Sequence, residues 1–221
     1  MFIWVEFKKR LEMLLNAYFL GLKIKSQKVV LTNGGSINYS KIVVCVEGEN
    51  DRNFLLNINQ AIQEFKDIVD LRDISIIPLH GGNLKQWVDR NYLGGSSVVE
   101  FHLYDRDADN KYKSEIDKVN SRTGCFGVLT KLREMENYIH WELINSHFKT
   151  TIETTDWANK DVPAILLSIV KDKTDTAIKQ ILNGSLTKKM TKKHLEEIGV
   201  YEEVLGWFSK IAEMHNVSLK P

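Results

Sequence analysis

The 221-residue sequence has only three prolines and two cysteines, and it holds no low-complexity tract or internal repeat. So few prolines exclude extended linkers. Cys45 and Cys125 lack Cys-x-x-Cys or zinc-finger spacing, which excludes a disulfide framework and a zinc finger. Each falls in a stretch that reads as a buried strand, where cysteine behaves as a small hydrophobe, and that usage points to a reducing cytoplasm. No run reaches the ~18–20 apolar residues of a membrane span. The apolar N-terminus is interrupted by Glu6, Lys8, Lys9, Arg10 and Glu12 and carries no small-residue cleavage site, so neither membrane insertion nor export is expected. Excess charge of one sign is also missing: 30 Lys and Arg face 29 Asp and Glu, a net +1. Unaided nucleic-acid binders carry a strongly basic face, so any such face here must be local.

What is present is ordinary globular material, 43% hydrophobic and 27% charged, enough for one large α/β domain or a compact domain with a smaller appendage. Apolar residues at three- and four-residue spacing (Phe7, Leu11, Leu14, Leu15, Tyr18, Leu22) mark an N-terminal amphipathic helix, followed by a short β segment up to residue 40. Residues 41–46 are a continuous β-branched run, as in a strand buried on both faces. Further strand-like runs at 74–78, 97–104 and 125–129 each lead into a helical pattern, the last one carrying residues 133–138. Four strand–helix alternations predict right-handed crossovers and a parallel four-stranded sheet flanked by helices, over residues 41–148. From 149 to 221 the pattern is helical, with an apolar run at 162–170, a turn signal at Asn183-Gly184-Ser185, and Trp207, Phe208 and Ile211 near the end.

Each strand's carboxyl end carries polar chemistry, at the edge where parallel sheets bind ligands. Glu47 and Asp51 flank the first strand-to-helix turn, His80-Gly81-Gly82 follows the second strand, and Asp105-x-Asp107-x-Asp109 follows the third. Concentrated carboxylates repel, and the usual compensation is a divalent cation. Oxygen donors without His or Cys favour Mg²⁺ or Mn²⁺, and two such ions can activate water and stabilise the leaving oxygen of a phosphodiester. A calcium loop fits poorly, because Asn110 and Ile116 stand where glycine and the bidentate glutamate belong. Gly81 and Gly82 permit close backbone approach to a phosphate, or equally a tight turn. Between residues 171 and 193 seven lysines face two aspartates, a local +5 that reads either as a nucleic-acid contact or as a solvated surface.

The order Glu47-Gly48-x-x-Asp51, Gly81-Gly82, Tyr104-Asp105-Arg106-Asp107 resembles the TOPRIM domain of topoisomerases, primases and related nucleases. Arg133-Glu134-Met135-Glu136-Asn137-Tyr138 narrows this: it resembles the Arg-x-x-Glu-Asn-Tyr signature of the OLD (overcoming-lysogenization-defect) family nucleases. The resemblance spans residues 40–145. It implies a TOPRIM-like sheet in which Glu47, Asp51, Asp105, Asp107 and Glu136 hold metal, with Asp109 as an outer ligand. Two positions on an α-helix differ by ~200°, so Glu134 is expected to face away from Glu136. The family also uses a basic residue near the scissile phosphate; Lys188, Lys189, Lys192 and Lys193 are candidates, Lys192 as the catalytic one, with Arg133 nearer in sequence. Family members commonly carry an ABC-type ATPase ahead of the TOPRIM region, and this sequence has no Walker A motif. The resemblance implies either an excised or separately encoded nuclease subunit or an ATPase that arrives on another protein, as in split bacterial anti-phage modules. The sequence therefore leads to a Mg²⁺-dependent nuclease acting on DNA. The rival reading is a non-catalytic TOPRIM module that binds an ATPase or nucleic acid. A homo-oligomer fits either, and the N-terminal helix and the Trp207 helix are the expected docking surfaces.

Overall fold

The computed structural model describes residues 42–218 and two short strands, β1 (Val30–Leu31) and β2 (Ile37–Asn38), which pair antiparallel. The expected N-terminal helix and its docking surface lie outside the described residues.

The body is one parallel sheet of β3 (Ile42–Val46), β4 (Ser75–Pro78), β5 (Val99–Tyr104) and β6 (Cys125–Leu129), in the order β4-β3-β5-β6. All five β3 residues are buried, which is why that stretch is apolar throughout instead of alternating. Helix α1 (Glu49–Ala61) and the short α2 (Gln63–Ile68) connect β3 to β4, α3 (Gly82–Arg90) connects β4 to β5, and α4 (Lys113–Asn120) connects β5 to β6. Chain order runs outward from β3 to β4, then jumps back to β5 on β3's other side. The switch point of the sheet therefore lies between β3 and β5, at the carboxyl ends that carry Glu47 and Asp105.

Alternate residues serve two cores. Ile42, Val44, Val46, Phe101 and Leu103 face a large cluster shared with α1, α2 and the helices that follow β6. Val43, Cys45 and Tyr104 face a smaller cluster with Leu84, Trp87 and Val88 of α3 and Ile116 and Val119 of α4.

After β6 come α5 (Trp141–Phe148), α6 (Val162–Ile169), α7 (Asp175–Gln180), α8 (Lys192–Ile198) and α9 (Tyr201–Ser218). Their apolar faces join the large cluster, so sheet and tail share one core. Three expectations are corrected. Trp207, Phe208 and Ile211 are buried in that core, where Phe65 and Tyr138 pack against them, and do not form a docking surface. Among the described residues the exposed large apolar side chains are Leu167 and Ile169 of α6. The segment Asn183-Gly184-Ser185 is no turn: α7 runs on into a π-helical stretch, Ile181–Leu186, whose Asn183 and Gly184 carbonyls accept from Asn57 Nδ2 at 2.8 and 3.2 Å. A side-chain donor there offsets the hydrogen bonds a widened helix loosens. Residues 133–138 form no α-helix either, but an extended Glu134 followed by a 3₁₀ turn, Met135–Tyr138. Among the described residues no helix is long and apolar enough to cross a membrane.

Candidate metal centre

Glu47 follows the last residue of β3, and its Oε1 accepts the Asp105 backbone N–H at 2.8 Å, which locks the ends of the two central strands together. Four residues on, Asp51 lies in the first turn of α1; its Oδ2 accepts the Gly48 N–H at 2.7 Å, and only 9% of the residue is exposed. That short bond, together with the positive end of the helix dipole, favours a charged carboxylate at this position.

The chain after β5 is stitched to the chain after β6. Arg106 N–H donates to Thr130 Oγ1 at 2.9 Å, and Asp107 N–H donates to the Arg133 carbonyl at 2.8 Å. The 3₁₀ turn is then anchored on all sides. Asn137 Oδ1 accepts from Glu134 N–H, Asn137 Nδ2 donates to the Trp157 and Lys160 carbonyls, and Tyr138 Oη accepts from Lys131 and Leu132 N–H. The Asn-Tyr half of the motif thus has a positioning task. It presents Glu134 and Glu136 to Asp105, with carboxylate oxygens of all three within 4.8 Å of one another.

This corrects the expected orientation of Glu134. The ~200° separation holds for an α-helix, whereas an extended residue leading into a 3₁₀ turn brings both carboxylates to the same side. A second residue missed from sequence is Lys179 of α7: its Nζ lies 3.0 Å from Glu134 and 3.9 Å from Glu136. A third is Asn183, which donates to Glu136 Oε1 at 2.8 Å from the π-helical stretch. Lys179 was visible only as one of the seven lysines in the basic run, and Glu134 only as the neighbour of Glu136.

The electrostatics are those of ligands without their counter-ion. Burial, then Asp51, push Glu47 up to about 8. Burial pushes Asp51 up to about 6 against the Gly48 N–H, and burial with Glu136 pushes Glu134 up to about 7. Asp105 is held well above the carboxylate range by burial, Asp51 and Glu136; burial raises Glu136 too. Burial alone would lower Lys179, but Glu136 and Glu134 outweigh it and hold the ammonium firmly charged. Asp105 Oδ1 is buried with no hydrogen-bond partner. An orphaned carboxylate oxygen facing two further carboxylates fits a hard divalent cation, and the all-oxygen donor set fits Mg²⁺ or Mn²⁺.

The other expected site residues are placed differently. Asp107 sits at the turn with φ +54°, and Asp109 is exposed beyond it. Arg133 bridges the centre to its rim: its guanidinium pairs with Asp161 at 2.7 Å and its Nε lies 3.8 Å from Glu134. Gly81, with φ +41°, needs glycine for its backbone, but a Cβ on Gly81 or Gly82 would meet nothing, so neither is dictated by a close approach within the chain. Lys188 and Lys189 are exposed on a 3₁₀ turn. Lys193 pairs with Glu197 at 3.3 Å. Lys192 is not brought to the carboxylates: it pairs with Glu64 at 3.0 Å and lies over the Tyr201 ring, because α8 packs it toward α2 and α9. Of the lysines in the basic run, Lys179 is the one beside the carboxylates, closer to Glu134 than Arg133 is.

No protein-family model matches the chain, and no curated protein matches it. Among solved structures it is similar to the C-terminal region of the Xanthomonas campestris pv. campestris OLD protein, at 16% identity over 81% of this chain and 98% of that one, with a TM-score of 0.48. It is likewise similar to the C-terminal region of the Burkholderia pseudomallei OLD protein, at 14% identity over 79% of this chain and 100% of that one, with a TM-score of 0.46.

Proposed function

We propose that this chain is a divalent-metal-dependent nuclease that hydrolyses phosphodiesters of DNA, using Mg²⁺ or Mn²⁺, two ions per site. One observation carries the reading: Asp105, Glu134 and Glu136 converge beside Glu47 and Asp51 at the switch point of a parallel sheet, with Lys179 at their edge. The motifs after β3, β4, β5 and β6, which resemble those of TOPRIM nucleases of the OLD family, support it.

Glu47, Asp51, Asp105, Glu134 and Glu136 would hold the metal, with Asp107 at the open rim. Bound there, divalent ions supply an activated water and charge stabilisation of the leaving oxygen. The protein's own groups do the rest. Lys179 balances the carboxylates and holds the anionic phosphate against them, Asn183 orients Glu136, and Glu47 fixes the spacing of the two strand ends through the Asp105 N–H. Exposed Lys188 and Lys189 lie in the tail that also contributes Lys179, and they extend the positive surface along which a nucleic-acid backbone would run. With a net charge of only +1, affinity is shared with a partner, and the partner we propose is a separate ABC-type ATPase in an anti-phage defence pair.

The test is nicking of supercoiled plasmid with Mg²⁺ or Mn²⁺, with and without an ABC-type ATPase supplied in trans, for wild type and Asp105→Asn. Metal-dependent nicking by wild type that the variant loses is the expected result. If neither metal supports nicking under any of these conditions, the reading fails.

A further inference from the structure

The opposite face of the sheet holds a polar cluster that the carboxylate centre does not use. By the two-residue period of a strand, Glu100, His102 and Tyr104 of β5 point to that face, and Cys45 of β3 lies beside His102 in register. None of the four is more than 2% exposed. His102 Nδ1 lies 2.5 Å from Tyr104 Oη, and His102 Nε2 lies 3.2 Å from Glu100 Oε2. Trp87 Nε1–H donates to that same carboxylate oxygen at 2.9 Å. Donor atoms of Cys45, Glu100 and His102 all lie within 4.8 Å of one another.

We propose that Cys45, Glu100 and His102 form a structural site for a thiophilic divalent cation, zinc by its chemistry, which ties β3 to β5 behind the carboxylate centre. Thiolate, imidazole and carboxylate together select zinc over Mg²⁺. A dication with one thiolate, one carboxylate and a neutral imidazole sums to zero charge, as a site closed to bulk solvent requires. The surroundings match a metal's outer shell. A ligating imidazole must send its other N–H to an acceptor, and Tyr104 Oη stands at Nδ1; a ligating carboxylate is oriented by a donor, and Trp87 supplies it. Tetrahedral zinc, with bonds of about 2.0–2.3 Å, sets its ligand atoms roughly 3.3–3.7 Å apart, and with three protein donors its fourth ligand would be one water enclosed as the chain folds. The His102–Glu100 pair is already at 3.2 Å, and Cys45, within 4.8 Å of both, needs to close by at most about 1.5 Å.

A second histidine cluster fails the same criterion. His140, Glu142 and His194 also lie close together, but Nδ1 of each histidine accepts a backbone N–H, from Glu142 at 3.3 Å and Thr191 at 3.2 Å. Ligation through Nε2 would put a proton on Nδ1 facing that donor, so these rings serve as helix caps.

Because the Cys45 site is sealed, it loads as the chain folds. The full chain is therefore refolded with Zn²⁺ or Co²⁺, dialysed against Mg²⁺, and its metal content measured. About one retained equivalent is expected, with a thiolate-to-cobalt charge-transfer band in the near ultraviolet. Cys45→Ser abolishes that band and Cys125→Ser, which changes the other cysteine, keeps it. Wild type that refolds without retaining either metal overturns the proposal even if the variants do not fold, and so does a band that survives Cys45→Ser. Neither readout depends on nuclease activity.

Discussion

At the scale of single residues, Glu47 and Lys179 hold opposite positions in the electrostatics of the carboxylate centre. Glu47 is raised to about 8 by burial and Asp51, so its charge works against the metal-free fold. Glu47→Gln keeps an oxygen for the Asp105 N–H while removing that charge. We expect its metal-free melting temperature to rise, each kcal/mol gained adding about 2–4 °C in a chain of this size. Its stabilisation by Mg²⁺ and its nicking should be lost; a lower melting temperature with full nicking would refute the assignment. Lys179 does the reverse, since it offsets Glu134 and Glu136. Lys179→Met should cost ~1–2 kcal/mol without metal, less than for a fully buried pair because the lysine is partly open to solvent. Saturating Mg²⁺ should restore most of that stability in a thermal melt but none of the nicking, which separates its hold on phosphate from its balance of charge. Glu134→Gln and Glu136→Gln should each weaken Mg²⁺ binding ~10–100-fold by calorimetry, the usual loss for an altered metal shell. A wild-type affinity in Glu134→Gln would return that residue to a purely structural pairing with Lys179.

At the scale of elements, the π-helical stretch Ile181–Leu186 ties the helical tail to the carboxylate edge of the sheet. It carries Asn183, which reaches back to Glu136, while Asn57 of α1 binds the Asn183 and Gly184 carbonyls that the widened turn leaves available. Removing that donor leaves two carbonyls poorly satisfied in a half-buried place. Asn57→Ala should therefore lose ~1 kcal/mol in urea denaturation. It should also reduce nicking, because Asn183 no longer holds Glu136 in position. Unchanged nicking at reduced stability would show that the stretch is a packing device alone.

At the scale of the whole molecule, the raised carboxylates set the dependence on pH. Glu47, Glu134 and Asp51, at about 8, 7 and 6, each bind protons more tightly folded than unfolded. Between roughly pH 4.5 and 8 the native state holds more protons, so metal-free stability falls as pH rises through that window. Asp70, held down to about 2 by Arg72, has its stabilising effect complete above the ordinary aspartate value and leaves this slope untouched. Thermal melts in chelator should thus show a higher midpoint at pH 5.5 than at pH 8, and saturating Mg²⁺ should flatten or reverse the trend by displacing the protons. A rising midpoint in chelator would contradict the clustered geometry. The basic surface makes a separate prediction. Replacing exposed Lys188 and Lys189 by Gln should lower the salt slope of DNA binding by up to about 2. The same change at Lys192 and Lys193 should lower it less, since those already pair with Glu64 and Glu197.

The parallel sheet was legible in the sequence because a strand buried on both faces must be continuously apolar, and because each strand ended in residues that have no place in a core. Glu47, Asp51, Asp105 and Glu136 were legible for the second reason, their motif order making up for the weakness of each motif alone. Tertiary structure decided what periodicity could not reach. Whether Glu134 faces Glu136 depends on a 3₁₀ turn held by Asn137, Tyr138 and Trp157, and these are contacts from more than one segment. Which of seven lysines meets the carboxylates depends on how α7 and its π-helical continuation pack on α1. Cys45 and His102 are 57 positions apart and share no motif, yet the β3–β5 register sets them side by side. Local spacing records which face a residue takes, whereas the neighbour it meets is fixed only when distant segments pack and exclude water between them.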